Sequence, residues 1–257
     1  MSEAAVLTER RDHVLVISLN RPDARNAVNG DVARGMEAAL DELEGTPELW
    51  AGVLRGEGKV FCAGADLKAI ASGRANELHT ERGGFGGLVR RKRQKPLIAA
   101  VHADAFAGGF ELAIACDFIV AGETIRFGLP EVKRSLVALA GGLVHLPRLI
   151  GEKLALELAL LGEPVDAERM YRAGLVSRLV PNEAVLDNAM SMAQTLCENG
   201  PLAVRASRQI IVDGADMDAD ARWEMSNRVG LPVFASEDAR EGPRAFIEKR
   251  KPVWTGK

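Results

Sequence analysis

The feature that most constrains this fold is the alternation of short strand patterns with helical patterns along the first half of the chain. Five segments have the β-branched and apolar composition of strands, at residues 14–20, 51–55, 97–101, 117–122 and 125–128. A helical pattern over VARGMEAALDELE, with Asn29 or Asp31 as a candidate cap, separates the first two. This order predicts a mixed α/β fold whose strands pair in parallel through crossover connections.

Helical patterns dominate from about residue 140 onward. They cover residues 151–162, 166–172, 183–199, 201–212 and 218–228. The sequence therefore predicts a helical region after the alternating part, of a kind that suits a subunit interface. A glycine-rich segment at residues 72–87 interrupts the first part, and we expect it to be mobile.

Composition excludes several classes of protein. Only three cysteines occur among 257 residues, which argues against a disulfide framework and fits a reducing compartment. The four histidines are scattered and no cysteine pair has zinc-ligand spacing, so we expect no metal site. The N-terminal residues lack an apolar signal core and no run is long enough to span a bilayer, which predicts a cytoplasmic protein without membrane contact.

Charge gives no reason to expect a nucleic-acid partner, because the formal net charge is −3. One local exception is a basic run within residues 90–95, comprising Arg90, Arg91, Lys92, Arg93 and Lys95. We interpret this run as the solvated end of a helix. It is also the single feature that supports an RNA-associated role.

A first candidate site lies at residues 103–111, where a strand pattern passes through small residues into a helix. Gly108 and Gly109 have no Cβ, so the backbone there can approach a ligand closely. The first turn of a helix presents free N–H groups and the positive end of the helix dipole, which suit an oxygen that gains negative charge. The alternative is tight packing of helix on strand, with Glu111 as a favourable first-turn carboxylate.

Two further segments are candidates for the same site. Residues 61–66 again lead through small residues towards a helix, where Asp66 is a candidate cap and Cys62 reads as a small buried hydrophobe. Residues 127–131 end in Glu131, which alone is an ordinary loop carboxylate. Each of the two helix starts can offer one N–H to a single oxygen, and the two glutamates lie twenty residues apart. This combination suits chemistry that passes through an enolate.

The ordered set of motifs resembles the crotonase (enoyl-CoA hydratase/isomerase) superfamily. The runs that carry the resemblance are FCAGADLKAI, KPLIAAVHADAFAGGFELAIACD and FGLPEVKRSLVALAGGLVHLPRLIG, with VLVISLNRPDARNAV near the start and FIEKRKPVW near the end. The resemblance implies a spiral of ββα turns over residues 1–195, which holds the acyl-CoA site. It also implies a helical trimerisation region over residues 196–257, and a homotrimer or a hexamer of two trimers.

The same resemblance implies roles for four residues. The main-chain N–H groups of Ala65 and Gly108 would form an oxyanion hole, and Glu111 and Glu131 would handle water and the α-proton. The activity implied is reversible hydration of a 2-enoyl-CoA thioester in fatty-acid or lipid metabolism, with CoA as part of the substrate and no separate cofactor. The CoA moiety would be bound by Arg25, Ala27, Ala63, Asp66, Leu67 and Lys249, the last often from a neighbouring subunit.

Departures from the family pattern leave alternatives open. Many hydratases carry Asn-Gly where this chain has His102-Ala103, and three glycines where it has Ala107-Gly108-Gly109. The runs FGLPEVK and GGLVHLPR resemble crotonobetainyl- or carnitinyl-CoA enzymes as much as fatty enoyl-CoA hydratases. Three hypotheses therefore compete with hydration. They are a dehydratase of that type, a Δ3-Δ2 isomerase, and a weakly catalytic acyl-CoA- or RNA-binding protein.

Overall fold

Strands and helices alternate in the computed structural model, which describes residues 4–257. The strands are β1 (Val6–Arg11), β2 (Val14–Leu19), β3 (Ala51–Gly56), β4 (His79–Thr80), β5 (Gly84–Phe85), β6 (Leu97–Val101), β7 (Ala105–Phe106), β8 (Phe118–Gly122), β9 (Arg126–Gly128), β10 (Val165–Asp166) and β11 (Arg178–Val180). The α-helices are α1 (Gly30–Gly45), α2 (Leu67–Ala71), α3 (Gly108–Ile114), α4 (Gly142–Ile150), α5 (Glu152–Leu161), α6 (Ala167–Arg172), α7 (Val185–Cys197), α8 (Pro201–Asp213), α9 (Ala219–Gly230) and α10 (Glu237–Ile247). Within residues 4–257, no helix has the length and apolar character needed to cross a membrane.

The main sheet has six strands in the order β1-β2-β3-β6-β8-β11. The edge strand β1 is antiparallel to β2, and the remaining neighbours are parallel. Every residue of β2 is buried, because helices cover both faces of a parallel sheet. Residues 15, 17 and 19 of β2 pack in the same apolar cluster as α1, while residues 14 and 16 pack in the cluster of α7. The predicted α/β class with crossover pairing is confirmed.

A second sheet of three short strands, in the order β10-β9-β7, lies beside the first. Successive turns of the chain contribute to both sheets: β6 leads to β7 and α3, and β8 leads to β9. This arrangement is the repeating turn that the family resemblance implies. It places the ends of β3, β7 and β9, with the loops that follow them, on one side of the molecule.

Predicted strands agree with the structure to within about one residue, but some elements were not predicted. Strand β1 was overlooked because five of its six residues are exposed and most are polar, as suits an edge strand. Helix α4 was overlooked because it follows two glycines and contains Pro147. Residues 72–87 contain a 3-10 helix at Ala75–Leu78 and the β4–β5 hairpin, and their mobility stays a prediction. The proposed boundary after residue 195 falls in the last turn of α7, and the division itself stays a prediction.

The interpretation of residues 90–95 as a solvated helix end was wrong. The segment is not helical, and alternate side chains point inward. Arg91 pairs with Asp41, and Arg93 has a side chain only 3% exposed that pairs with Asp117 at 2.9 Å. The Lys95 Nζ donates to the carbonyl oxygens of Leu43 and Thr46 at 2.6 and 2.7 Å, at the carboxyl end of α1. Lys95 turns inward because the last carbonyl groups of a helix need hydrogen-bond donors, and Arg91 and Arg93 turn towards aspartates.

Asp117 joins the core to the C-terminal helices. Its carboxylate accepts from Arg93 at 2.9 Å, from Arg208 of α8 at 2.8 Å and from the Leu97 N–H at 2.8 Å. Burial alone would raise the pKa of Asp117, but the two guanidinium groups and the N–H outweigh it and hold the pKa below its usual range. This carboxylate is therefore ionised and fully partnered at neutral pH.

We predict that Asp117→Ala lowers the free energy of unfolding by about 3–5 kcal/mol, because it leaves the buried Arg93 without its counter-charge. Urea unfolding would measure the change. Glu157→Ala is the matched control, since it breaks a solvent-exposed ion pair with Arg169 and should cost much less stability. Equal losses in the two variants would contradict the interpretation.

Candidate active site

The small-residue segments identified in the sequence converge on one cavity of about 760 Å³. The residues predicted for the site that line this cavity are Arg25, Ala63, Ala65, Leu67, Gly108, Glu111 and Glu131. They come from the loop before α1, the loop between β3 and α2, the start of α3 and the turn after β9. The predicted oxyanion donors and both glutamates are thus brought together.

Three predicted residues do not line the cavity. Asp66 caps α2, accepting from the N–H groups of Lys68 and Ala69 at 3.0 and 3.3 Å, and pairs with Arg21 at 3.0 Å. The capping alternative for Asp66 is therefore confirmed. Ala27 is half-buried within the loop before α1, and Lys249 is exposed just after α10. Their roles in CoA binding stay predictions.

Asn26 is a positioning residue that sequence reasoning missed. It is fully buried and adopts φ +54°, a left-handed conformation that asparagine tolerates. Its amide nitrogen donates to the carbonyl oxygens of Glu57 and Val60, both at 2.8 Å, and its amide oxygen accepts from the Arg21 N–H at 2.9 Å. Asn26 therefore fixes the loop before α1 against the loop after β3, where Ala65 lies.

The loop after β3 touches the turn before α3 through glycines. A Cβ on Gly64, which has φ +89°, would lie 3.0 Å from the Gly108 nitrogen. A Cβ on Gly109 would collide with the carbonyl oxygen of Cys62. Both glycines are required because two backbones approach here without side chains between them.

The N–H groups of Ala65 and Gly108 are free. No acceptor within residues 4–257 pairs with either group, although the neighbouring N–H groups of Asp66 and Ala107 donate to Val28 and Gly128. Both residues line the cavity. Two free donors on adjacent loops that line one cavity can bind an external oxygen.

Ala107 orients one of these donors. It has φ +52° and ψ −134°, a conformation that costs of order 1–3 kcal/mol for a residue with a Cβ. Its own N–H donates to the Gly128 carbonyl oxygen at 2.9 Å, which fixes the preceding peptide. The ψ angle of Ala107 then sets the direction of the Gly108 N–H.

Glu111 is held deep in the cavity wall. Its side chain accepts from the Gly142 N–H, at the start of α4, at 2.9 Å, and the residue is only 3% exposed. Burial raises the pKa of Glu111 to about 7, partly opposed by the Gly142 hydrogen bond and reinforced by the nearby charge of Glu131. A carboxyl group with this pKa can exchange a proton near neutral pH.

Glu131 faces the same space from the 3-10 helix Pro130–Arg134. Its Oε2 is buried and has no hydrogen-bond partner within the described chain. Burial raises the pKa of Glu131, while Arg134 opposes the rise. The unpaired oxygen is available to a ligand, and the two carboxyl groups form a pair that disfavours double ionisation.

Other reactive groups are accounted for. Cys62 is fully buried and its thiol donates to the Asn26 carbonyl oxygen, and burial raises its pKa to about 12. Such a thiol is not a nucleophile, which agrees with its interpretation as a small hydrophobe. Across residues 4–257, no three His, Cys, Asp or Glu side chains are grouped as metal ligands.

Comparisons with known proteins give one family. A family model described as enoyl-CoA hydratase/isomerase matches residues 9–257. Enoyl-CoA hydratase EchA19 of Mycobacterium tuberculosis is 39% identical over 96% of this chain and 94% of its own length, and carnitinyl-CoA dehydratase of Citrobacter koseri is 40% identical over all of both chains. A crystal structure of an enoyl-CoA hydratase from M. tuberculosis H37Rv is 47% identical, covers 99% of this chain and 100% of its own, and superposes with a TM-score of 0.96.

We expect Ala107→Gly to raise the free energy of unfolding by about 1 kcal/mol, since glycine adopts positive φ without strain. Urea unfolding would measure the gain. The control is Ala113→Gly in the same helix, where a buried alanine has ordinary helical surroundings and the change should cost about 1 kcal/mol. A loss of stability in both variants would show that Ala107 is unstrained.

Glu111→Gln should stabilise the protein in alkaline but not in acidic solution. The folded-state pKa of Glu111 is raised from 4.5 to about 7, so folding is penalised increasingly as pH rises between those values, up to about 3 kcal/mol. Glutamine keeps an oxygen for the Gly142 N–H and removes the penalty. Unfolding free energies of both proteins at pH 4.5 and pH 8 test this; a gap independent of pH would contradict it.

Proposed function

The chain belongs to the enoyl-CoA hydratase/isomerase family as a hydro-lyase, and from this membership we propose how its cavity adds water to a 2-enoyl-CoA thioester. The observation that carries the proposal is the convergence of two free main-chain N–H groups and two buried carboxyl groups on one cavity. This set provides for a thioester oxygen that gains charge and for two proton transfers on the adjacent carbons.

The thioester oxygen binds to the N–H groups of Ala65 and Gly108. Conjugation carries electron density from the 2,3-double bond to this oxygen as a nucleophile adds at Cβ, so the two donors bind the enolate-like state more strongly than the substrate. Loss of one such donor typically raises the barrier by about 3–4 kcal/mol. The contact of Gly64 with Gly108 keeps both donors in place before substrate arrives.

The glutamates manage the protons. Glu111 takes a proton from water as the water oxygen bonds to Cβ, and Glu131 supplies a proton to Cα as the enolate collapses. The reverse sequence eliminates water. Burial raises the pKa of both groups, and the charge of Glu131 raises that of Glu111 further, so double ionisation of the pair is disfavoured. This chemistry needs one proton on the pair.

The nature of the cavity wall favours an uncharged acyl group over a trimethylammonium group of the carnitinyl type. Apart from the two glutamates, no carboxylate lines the cavity within the described residues, while Arg25 and Arg134 do. A quaternary ammonium would therefore find no counter-charge apart from the two glutamates that the reaction uses. Dehydration of carnitinyl-CoA, the activity in the name of one relative, is the second candidate.

The remaining alternatives are less well supported. An isomerase needs one carboxylate to move a proton, whereas both glutamates face this cavity. An RNA-associated role rested on the basic run, whose Arg91, Arg93 and Lys95 turn inward. Hydration uses both glutamates and both free N–H groups.

Binding of CoA and assembly complete the proposal. Arg25, Ala63 and Leu67 lie on the oxyanion side of the cavity and would contact the CoA moiety. Lys249 is exposed and outside the cavity of its own chain, so it would serve a neighbouring subunit in a trimer or hexamer. The three cysteines are free, which supports a reducing, cytoplasmic location.

Glu111→Gln and Glu131→Gln should each lower the rate of hydration by about 10²–10⁴-fold, since each removes one proton-transfer group. Loss of the conjugated thioester absorbance of crotonyl-CoA would measure this rate. Glu157→Gln, on the exposed surface, should leave the rate unchanged. Full activity after either active-site substitution would point instead to a one-carboxylate reaction such as isomerisation.

A further inference from the structure

Three of the exposed large apolar side chains that line the cavity lie in one short segment of the chain. Leu136, Val137 and Leu139 are 49%, 59% and 85% exposed, and all belong to the segment 135–140 that follows Glu131. Ala138 between them is buried. Clustered exposed apolar side chains at a cavity indicate a binding surface, whereas scattered ones need no explanation.

The segment 135–140 is fixed at both ends to the catalytic glutamates. At one end, the Leu136 N–H donates to the carbonyl oxygen of Glu131 at 3.1 Å. At the other end, the Gly142 N–H donates to the Glu111 side chain at 2.9 Å. The segment therefore runs from the main chain of Glu131 towards the side chain of Glu111, and its apolar side chains line the cavity that both glutamates line.

The direction of the substrate follows from this arrangement, which rests on the proposed function. Arg25 lies in the loop before α1, which accepts a hydrogen bond at 3.0 Å from Ala63 in the loop that leads to Ala65 and Leu67. The thioester sulfur would therefore point towards these two neighbouring loops. The glutamates act at Cα and Cβ, and carbons beyond Cβ must continue past them over the segment 135–140. Leu78 and Phe85, both buried, provide an apolar inner wall to the same cavity.

We propose that Leu136, Val137 and Leu139 form a specificity surface for an extended apolar acyl chain, so that the enzyme prefers enoyl groups well beyond four carbons. A crotonyl group ends one carbon past Cβ and would leave this surface exposed. Each further methylene covers apolar area, and burial of one methylene is worth a several-fold change in binding. The surface is continuous with the catalytic cavity, which identifies the acyl chain as its occupant.

The test is a series of trans-2-enoyl-CoA thioesters of four, eight and twelve carbons. We expect kcat/KM to rise at least about tenfold from four to eight carbons. In the double variant Val137→Thr and Leu139→Asn, the ratio of eight-carbon to four-carbon kcat/KM should fall by about tenfold. Both positions are exposed, so folding should not be affected. A wild-type ratio near one, or an unchanged ratio in the variant, would overturn the proposal.

Leu160→Asn is the matched control, because Leu160 is 65% exposed on α5 but does not line the cavity, and neither kcat/KM nor the ratio should change. Calorimetric binding of octanoyl-CoA against butyryl-CoA tests the surface separately from catalysis. Tighter octanoyl binding that the double variant abolishes supports the proposal even if no thioester is hydrated, an outcome that would refute the proposed function alone. A double variant that changes the oligomeric mass but not the ratio would assign the surface to a second copy of the chain and overturn the proposal.

Discussion

The active site depends on one backbone contact between two loops of the spiral. The loop after β3 and the turn after β7 meet at Gly64, Gly109 and the carbonyl group of Cys62, where a single extra Cβ has no room. The Asn26 side chain donates hydrogen bonds to the first loop, and the Gly128 carbonyl oxygen accepts one from Ala107 in the second. This contact places the free N–H groups of Ala65 and Gly108 on adjacent loops of one cavity without any side chain between the loops. The proposed oxyanion site would therefore be a property of main-chain geometry.

The two glutamates differ from this main-chain contact, because burying their carboxyl groups lowers the stability of the fold. Glu111 is buried and its carboxylate accepts one hydrogen bond from the Gly142 N–H, and Glu131 has a buried oxygen without a partner in the described chain. An apolar residue at either position would suit the fold better, and both groups have raised pKa values because the interior resists their ionisation. The strain at Ala107 belongs to the same pattern of local cost at a functional site.

Much of this arrangement was predictable because it is local. Buried parallel strands read as continuous apolar runs, so β2, β3 and β6 were evident, and the ordered motifs around Ala65, Gly108, Glu111 and Glu131 indicated the site. What could not be predicted depends on distant partners. Charge alone assigned Arg93 and Lys95 to the surface, whereas Asp117 and the end of α1 draw them inside. Nothing near Asn26 in sequence shows that it ties two loops, and the conformation of Ala107 follows from the close approach of Gly64.

Net charge also affects how a polyanionic thioester meets the protein. The buried charged residues balance, since Arg93 and Lys95 are offset by Glu111 and Asp238, so the formal net charge of −3 lies on the exterior. The long-range field of the chain therefore repels a ligand that carries several phosphates. Productive encounters must be guided within a Debye length, by guanidinium groups at the cavity such as Arg25 and Arg134, and added salt should weaken the distant repulsion before it weakens this close attraction.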